Sequence, residues 1–227
     1  MWTRLVAGAA AHDINNLAQG LFNLLSLASA PGAKREALDR YAALARDGIK
    51  DLRRLGTNLR VLAAADGGAE AQRLDLLTVE AVSDLDPPPE RRIDLSPLDA
   101  QAVVAGPTAA MRLAIQGVVR YSVAASAPSG GVAVSVSRED ATAAVVVAAP
   151  TAPAPRSGVE AELVALLAGP EREFGGDAGL VLAGAAAHLS GGSASAGPAP
   201  GGGLRFKLSF PCAEKGTEPQ GKGNDGP

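Results

Sequence analysis

Aromatic residues make up only 3% of this 227-residue chain, which holds one tryptophan and four phenylalanines. With so few large rings, a core must be assembled from alanine, valine and leucine. A hydrophobic content of 47% supplies enough of them for one large or two small globular domains. There is a single cysteine, Cys212, which excludes an internal disulfide and a multi-cysteine metal site and fits a reducing compartment. Positive charge is also short. The formal net charge is −3 and no basic run stands out, so a surface that neutralises nucleic-acid phosphates is not expected. No apolar run approaches the roughly 20 residues of a membrane span. Residues 1–11 carry one basic residue and a weakly apolar Ala/Gly run that is too short for a secretory leader. The expectation is a soluble, cytoplasmic protein with neither a nucleic-acid nor a membrane partner.

Histidine is scarce as well, with only His12 and His188. His12 lies in Ala11-His12-Asp13-Ile14-Asn15-Asn16-Leu17-Ala18-Gln19, within a helix expected from about Thr3 to Ser29 and closed by Pro31-Gly32. Helical spacing places His12, Asn16, Gln19 and Asn23 on one polar stripe, with Ile14, Leu17, Leu21, Leu24 and Ala28 on a separate apolar one. His12 then faces solvent, with Asp13 beside it and Asn16 one turn on. The plain alternative is a lone surface histidine. Against it stand the consecutive asparagines Asn15 and Asn16, which are poor helix-interior residues and need a reason other than folding. An imidazole held by a carboxylate on one nitrogen keeps a defined tautomer and presents the other nitrogen as a nucleophile.

A second helix is expected from about Lys34 to Ala65, with Leu38, Tyr41, Ala45, Ile49, Leu52, Leu55, Leu59 and Leu62 on one apolar side. Two long helices joined by a short turn form an antiparallel hairpin whose seam is half covered. Pairing two hairpins into a four-helix bundle would cover it, so a homodimer is expected. Beyond Gln72 the pattern becomes α+β. A short helix over Leu76 to Leu85 precedes the Pro87-Pro88-Pro89 break, with short strands at Arg92 to Leu95 and Gln101 to Val104 and a helix at Met111 to Ser126. Strands follow at Gly131 to Ser137 and at Thr142 to Ala148, the latter a continuous Val/Ala run suited to a buried strand. Thr151 to Ser157 reads as loop, Val159 to Leu167 and Ala178 to Leu189 as helices, and Ser193 to Ser195 and Leu204 to Phe210 as strands. The organisation is thus a helical hairpin over 1–68, an α/β domain over 70–211 and a disordered tail over 212–227.

With these elements in place, the chain resembles the histidine kinases of two-component signalling. Its first 66 residues are similar to their dimerisation and phosphoacceptor domain, whose motif is a histidine, an acidic residue, two variable residues and an asparagine or threonine. The matching positions are His12, Asp13 and Asn16. The resemblance makes His12 the phosphorylated residue, Asp13 the base that orients its ring and Asn16 the amide that positions a phosphoryl group or a water. Residues from about 70 to 211 resemble the ATP-binding domain of the same family, a three-layer α/β fold. Asp177-Ala178-Gly179-Leu180, His188-Leu189-Ser190-Gly191-Gly192 and Gly202-Gly203-Leu204-Arg205-Phe206 look like its last glycine box, the following helix and the closing strand.

The nucleotide chemistry of that family is not matched. Where its helix carries paired asparagines for magnesium and phosphate, this chain has Gly117 and Tyr121. Where it has an Asp-x-Gly box, this chain has Ala148-Ala149-Pro150-Thr151-Ala152-Pro153. Phosphoryl transfer is mostly positioning and charge compensation, so a site without magnesium ligands loses most of what it offers ATP. Gly175, Gly176 and Gly179 read as loop glycines, and His188 as structural. A cleft filled by bulky residues such as Tyr121 or Arg120 would support that loss of ATP binding. The resemblance therefore implies a dimeric histidine phosphotransferase with a degenerate ATP-binding domain. His12 would relay a phosphoryl group between receiver-domain aspartates, without a cofactor of its own, magnesium coming from the receiver. A divergent sensor kinase and a non-catalytic scaffold that binds receivers are the alternatives.

Overall fold

The computed structural model describes residues 1–32, 34–65, 70–85, 87, 91–127, 129–153, 160–168 and 178–213. Helices α1 (Trp2–Ala28) and α2 (Arg35–Ala63) form the N-terminal hairpin, turning at Gly32, whose φ of 83° is one that residues with a Cβ rarely adopt. Their seam is half-buried at Leu17, Leu21, Leu24 and Ala28 of α1 and at Tyr41, Ala45, Leu52 and Leu59 of α2, with Leu55 fully buried. The seam drifts from the expected register at three places. Ile14, Leu38 and Ile49 are exposed, and their places are taken by Asp13, Ala37 and Gly48. A hairpin needs only one narrow stripe per helix, and the remaining apolar residues form a second stripe that no other element covers among the described residues.

After the hairpin come β1 (Glu70–Arg73), α3 (Leu74–Ser83), β2 (Ile93–Leu98), β3 (Val103–Gly106), α4 (Thr108–Ala125), β4 (Val132–Glu139) and β5 (Thr142–Ala149). The chain continues with β6 (Ala161–Glu162), α5 (Leu163–Ala168), α6 (Ala178–Leu189), β7 (Ser193–Pro198) and β8 (Leu204–Pro211). Strands β2-β4-β5-β8-β7-β6 form one mixed sheet in that order, with β2 and β4 parallel and the other pairs antiparallel. Strands β1 and β3 make a separate antiparallel pair. The period-2 pattern sets which face is covered: Val132, Val134 and Val136 of β4 and Leu204, Phe206, Leu208 and Phe210 of β8 point into the core. There they meet α3, α4 and α6. The expected continuous burial of β5 is partial, because Ala143, Ala144, Val145, Val147 and Ala149 are fully buried while Val146 and Ala148 are half-buried.

Two elements depart from expectation. Glu70–Arg73 has no alternating apolar residues, and it becomes a strand through its backbone pairing with β3. The helix expected over 159–167 begins only at Leu163, because Ala161 and Glu162 pair with Ala196 and Ser195 at the sheet edge. The Pro-rich break at 86–90 lies largely outside the described residues, as do Gly175, Gly176 and Asp177 and the tail from 214. Cys212 and Ala213 stay on the fold, donating backbone N–H groups to the carbonyls of Ala141 (2.9 Å) and Val103 (3.0 Å).

The hairpin does not stand apart from the sandwich. Helix α6 is hydrophobic all round, as a helix must be when it is covered on every side. Its outer face receives Val6, Ala9 and Ala10 of α1 and Leu55, Leu59 and Leu62 of α2. The Trp2 ring lies directly over Gly184, close enough that a Cβ there would meet ring carbon at 2.2 Å.

Candidate functional site

Two features on facing elements make up the site: the His12 group on α1, and a cavity between the hairpin and helices α4 and α6. Helical geometry brings the three sequence-selected residues together. The His12 side chain is 62% exposed and its Nδ1 lies 3.3 Å from Asp13 Oδ1, a contact that favours the Nδ1–H tautomer. The Asn16 amide nitrogen is 3.2 Å from Nδ1 and 3.3 Å from Nε2. A donor equidistant from both ring nitrogens cannot lie along the lone pair of either, so it sits over the face of the ring. The in-plane direction at Nε2 is left clear of Asn16. Further along the same polar stripe, Gln19 donates to Asn23 Oδ1 at 3.0 Å.

Asp13 and Asn16 also line the rim of a cavity of about 630 Å³. Its walls are Asp51, Arg54 and Asn58 from α2, Gln116, Gly117, Arg120 and Tyr121 from α4, and Ala178, Gly179 and Leu182 from α6. Arg54 pairs with Asp51 at 3.0 Å. Arg91 also reaches the cavity and caps the C-terminus of α4, donating from one nitrogen to the carbonyls of Val123 (3.1 Å), Ala127 (2.8 Å) and Ser126. Burial lowers the pKa of Arg120 from its ordinary value, the nearby Arg54 guanidinium lowers it further, and Asp51 pulls it back up. That Arg54 joins Arg120 in one cavity was not legible in the sequence. Arg54 and Arg120 are far apart along the chain, and only packing of α2 over α4 brings them together.

At the position where the resemblance calls for an asparagine on α4, Gly117 is not merely a shorter residue. A Cβ there would lie 2.5 Å from the Ala183 Cβ and 2.9 Å from the Gly179 carbonyl oxygen, so α6 occupies the space that a side chain would need. Tyr121 lines the cavity and packs edge-on against Phe206, with ring centroids 5.7 Å apart and planes at 87°. His188, read from the sequence as structural, is exposed on the last turn of α6. Among the described residues no group of three or more His, Cys, Asp and Glu side chains is placed to hold a metal ion. No helix among them is long and apolar enough to cross a membrane.

No family model matches the sequence and no curated protein matches it. Solved structures do resemble the fold. The Acinetobacter baumannii histidine kinase AdeS superposes with a TM-score of 0.57 at 13% identity, over 88% of this chain and 94% of that one. Full-length ShkA, solved in complex with AMPPNP, gives 0.56 at 17% identity over 92% of this chain and 46% of that one. The mycobacterial sensor histidine kinase MprB gives 0.50 at 15% identity over 63% of this chain and 97% of that one. At these identities the likeness establishes the fold. N-terminal helices are followed by a mixed sheet and helices arranged as in the ATP-binding α/β sandwich of histidine kinases.

Proposed function

We propose that this protein is a histidine phosphotransferase of a two-component phosphorelay, in which His12 takes a phosphoryl group from the aspartyl phosphate of one receiver domain and gives it to the aspartate of another. The observation that carries the reading is the exposed His12 ring, held by Asp13 at Nδ1 and covered by Asn16 on its face. In the forward step the Nε2 lone pair attacks phosphorus and the bond from phosphorus to the carboxyl oxygen breaks, releasing the receiver's aspartate. The ring becomes a cationic phosphoimidazole, and Asp13 stabilises it by accepting from the Nδ1–H, which stays in place. The return step reverses these changes. No proton or water is consumed, and magnesium for the acyl phosphate would come with the receiver. The exposed second stripe of the hairpin supports a homodimer.

The close α4–α6 contact at Gly117 favours relay over self-phosphorylation from ATP, since it leaves no side chain to present a magnesium ligand. A second reading, a divergent kinase, is supported by the extent of the likeness to ShkA, which covers both the helices and the sandwich and was itself solved with AMPPNP. Incubating the protein separately with a phosphorylated receiver and with labelled ATP discriminates the two. Acid-labile label from the receiver and none from ATP is expected, with transfer lost entirely in His12→Ala. Label from ATP alone selects the kinase, and transfer that survives His12→Ala removes both readings.

A further inference from the structure

The hairpin and the sandwich share a helix. Among the described residues of α1 and α2 only Ala10 and Leu55 are fully buried, and both lie in a cluster with Ala178 and Leu182 of α6. At the base of the hairpin Trp2, Leu5, Val6, Ala9, Val61 and Leu62 pack onto the core of the sandwich. Apart from Met1, the large apolar side chains that stay exposed on the hairpin run from Ile14 to Ile49, toward its turn, and none lies between Trp2 and Asp13 or between Leu52 and Ala65. Seen from the sandwich, α6 has almost no free face. Ala178 and Leu180 to Ala187 are all buried, with the sheet and α4 on one side and α1 and α2 on the other. The Trp2 ring fills the place of a Cβ at Gly184. A helix in a protein owes most of its stability to the packing of its apolar face, so a helix covered on every side loses too much when either cover leaves. Domains joined through a small polar interface move independently, and a large apolar interface removes that freedom.

We propose that the sandwich serves as the folding support of the hairpin: the base of α1 and α2, helix α6 and the sheet beneath it form one cooperative unit, and the sandwich does not swing away from His12. A pair of helices with one narrow apolar stripe each is marginal in water, so the geometry of His12, Asp13 and Asn16 needs a support from outside the hairpin. Ala10, two residues before His12, is the one fully buried residue of α1, so the anchored stretch of that helix ends at the group it steadies. The half of the hairpin nearer its turn makes no comparable contact and falls to whatever covers the second apolar stripe. A sandwich with this part to play needs no nucleotide, and the part does not depend on the chemistry proposed for His12.

Hydrogen exchange of the full chain, read by mass spectrometry, tests this. In the wild type under rising urea, below the unfolding midpoint, the amides of residues 5–11 and 55–62 are expected to converge on the same urea dependence as those of α4, α6 and β5. Two variants approach the unit from opposite ends. Val134→Ala opens a hole in the sheet beneath the helical layer, and Leu182→Ala opens one in α6 where it meets the hairpin. Each should speed exchange by about tenfold or more, and equally in the hairpin base and in the sandwich. A hairpin base that opens at lower urea than α4 and β5 overturns the proposal, as does exchange in Val134→Ala that rises only beyond residue 70. Faster exchange confined to α1 and α2 in Leu182→Ala overturns it too, since the hairpin would then be leaving an intact sandwich. If either variant does not fold, the wild-type urea series decides.

Discussion

Gly117 shows how one residue type can close off a chemistry. On a helix as buried as α4, alanine would ordinarily be preferred to glycine by about 1 kcal/mol. The glycine is tolerated because α6 crosses α4 at that point, with Ala183 and the Gly179 carbonyl inside the radius of any side chain. Gly117→Asn should therefore destabilise the fold by about 1–3 kcal/mol through overpacking, and it should not create an ATP site. Urea unfolding together with an ATP titration checks both halves, and micromolar ATP binding by the variant would show that α6 gives way. At this scale the site divides into what the sequence discloses and what it hides. His12, Asp13 and Asn16 are legible because they lie within five residues on one helix, where a fixed 3.6-residue period converts spacing into geometry. Arg54 and Arg120 meet only through tertiary packing, and nothing in their local sequence signals that they share a cavity.

Among the elements, the long periodic ones were legible and the short edge strands were not. Helices α1, α2, α4 and α6 and strands β4, β5 and β8 are specified by their own apolar patterns, whereas β1 and β6 exist because a neighbouring strand offers free backbone groups. The attachment of the hairpin to α6 was also hidden, because it depends on a hole in one element that fits a knob on another. Trp2 fills the notch left by Gly184. Gly184→Ala and Trp2→Ala should each cost about 1–3 kcal/mol, and the double variant should cost little more than either alone, because both remove one contact. Since Trp2 is the only tryptophan, its emission reports the dock directly. A red shift is expected in Gly184→Ala, and unchanged emission would show that the ring does not depend on the notch.

For the whole molecule, the open question set by the physics is what covers the second apolar stripe of the hairpin. Phe22 and Leu25 are each 65% exposed, and Ile14, Leu44 and Ile49 are exposed on the same pair of helices. Scattered exposed apolar residues need no explanation, but a run of them along both helices of a hairpin does. A second copy of the chain would bring the same stripe and close a four-helix bundle with twofold symmetry. Burying a large apolar side chain contributes about 1.5–3 kcal/mol, so the exposed parts of Phe22 and Leu25 from two protomers would contribute roughly 4–8 kcal/mol. Association costs about 4–15 kcal/mol before any contact is counted, so these four side chains decide whether the dimer persists. Phe22→Asp with Leu25→Asp should convert a dimer into a monomer by light scattering. Helix content should be retained, because α1 still packs on α2 through Leu17, Leu21 and Leu24. A wild-type protein that is monomeric at micromolar concentration would remove the dimer, and the stripe would then have to meet a different protein.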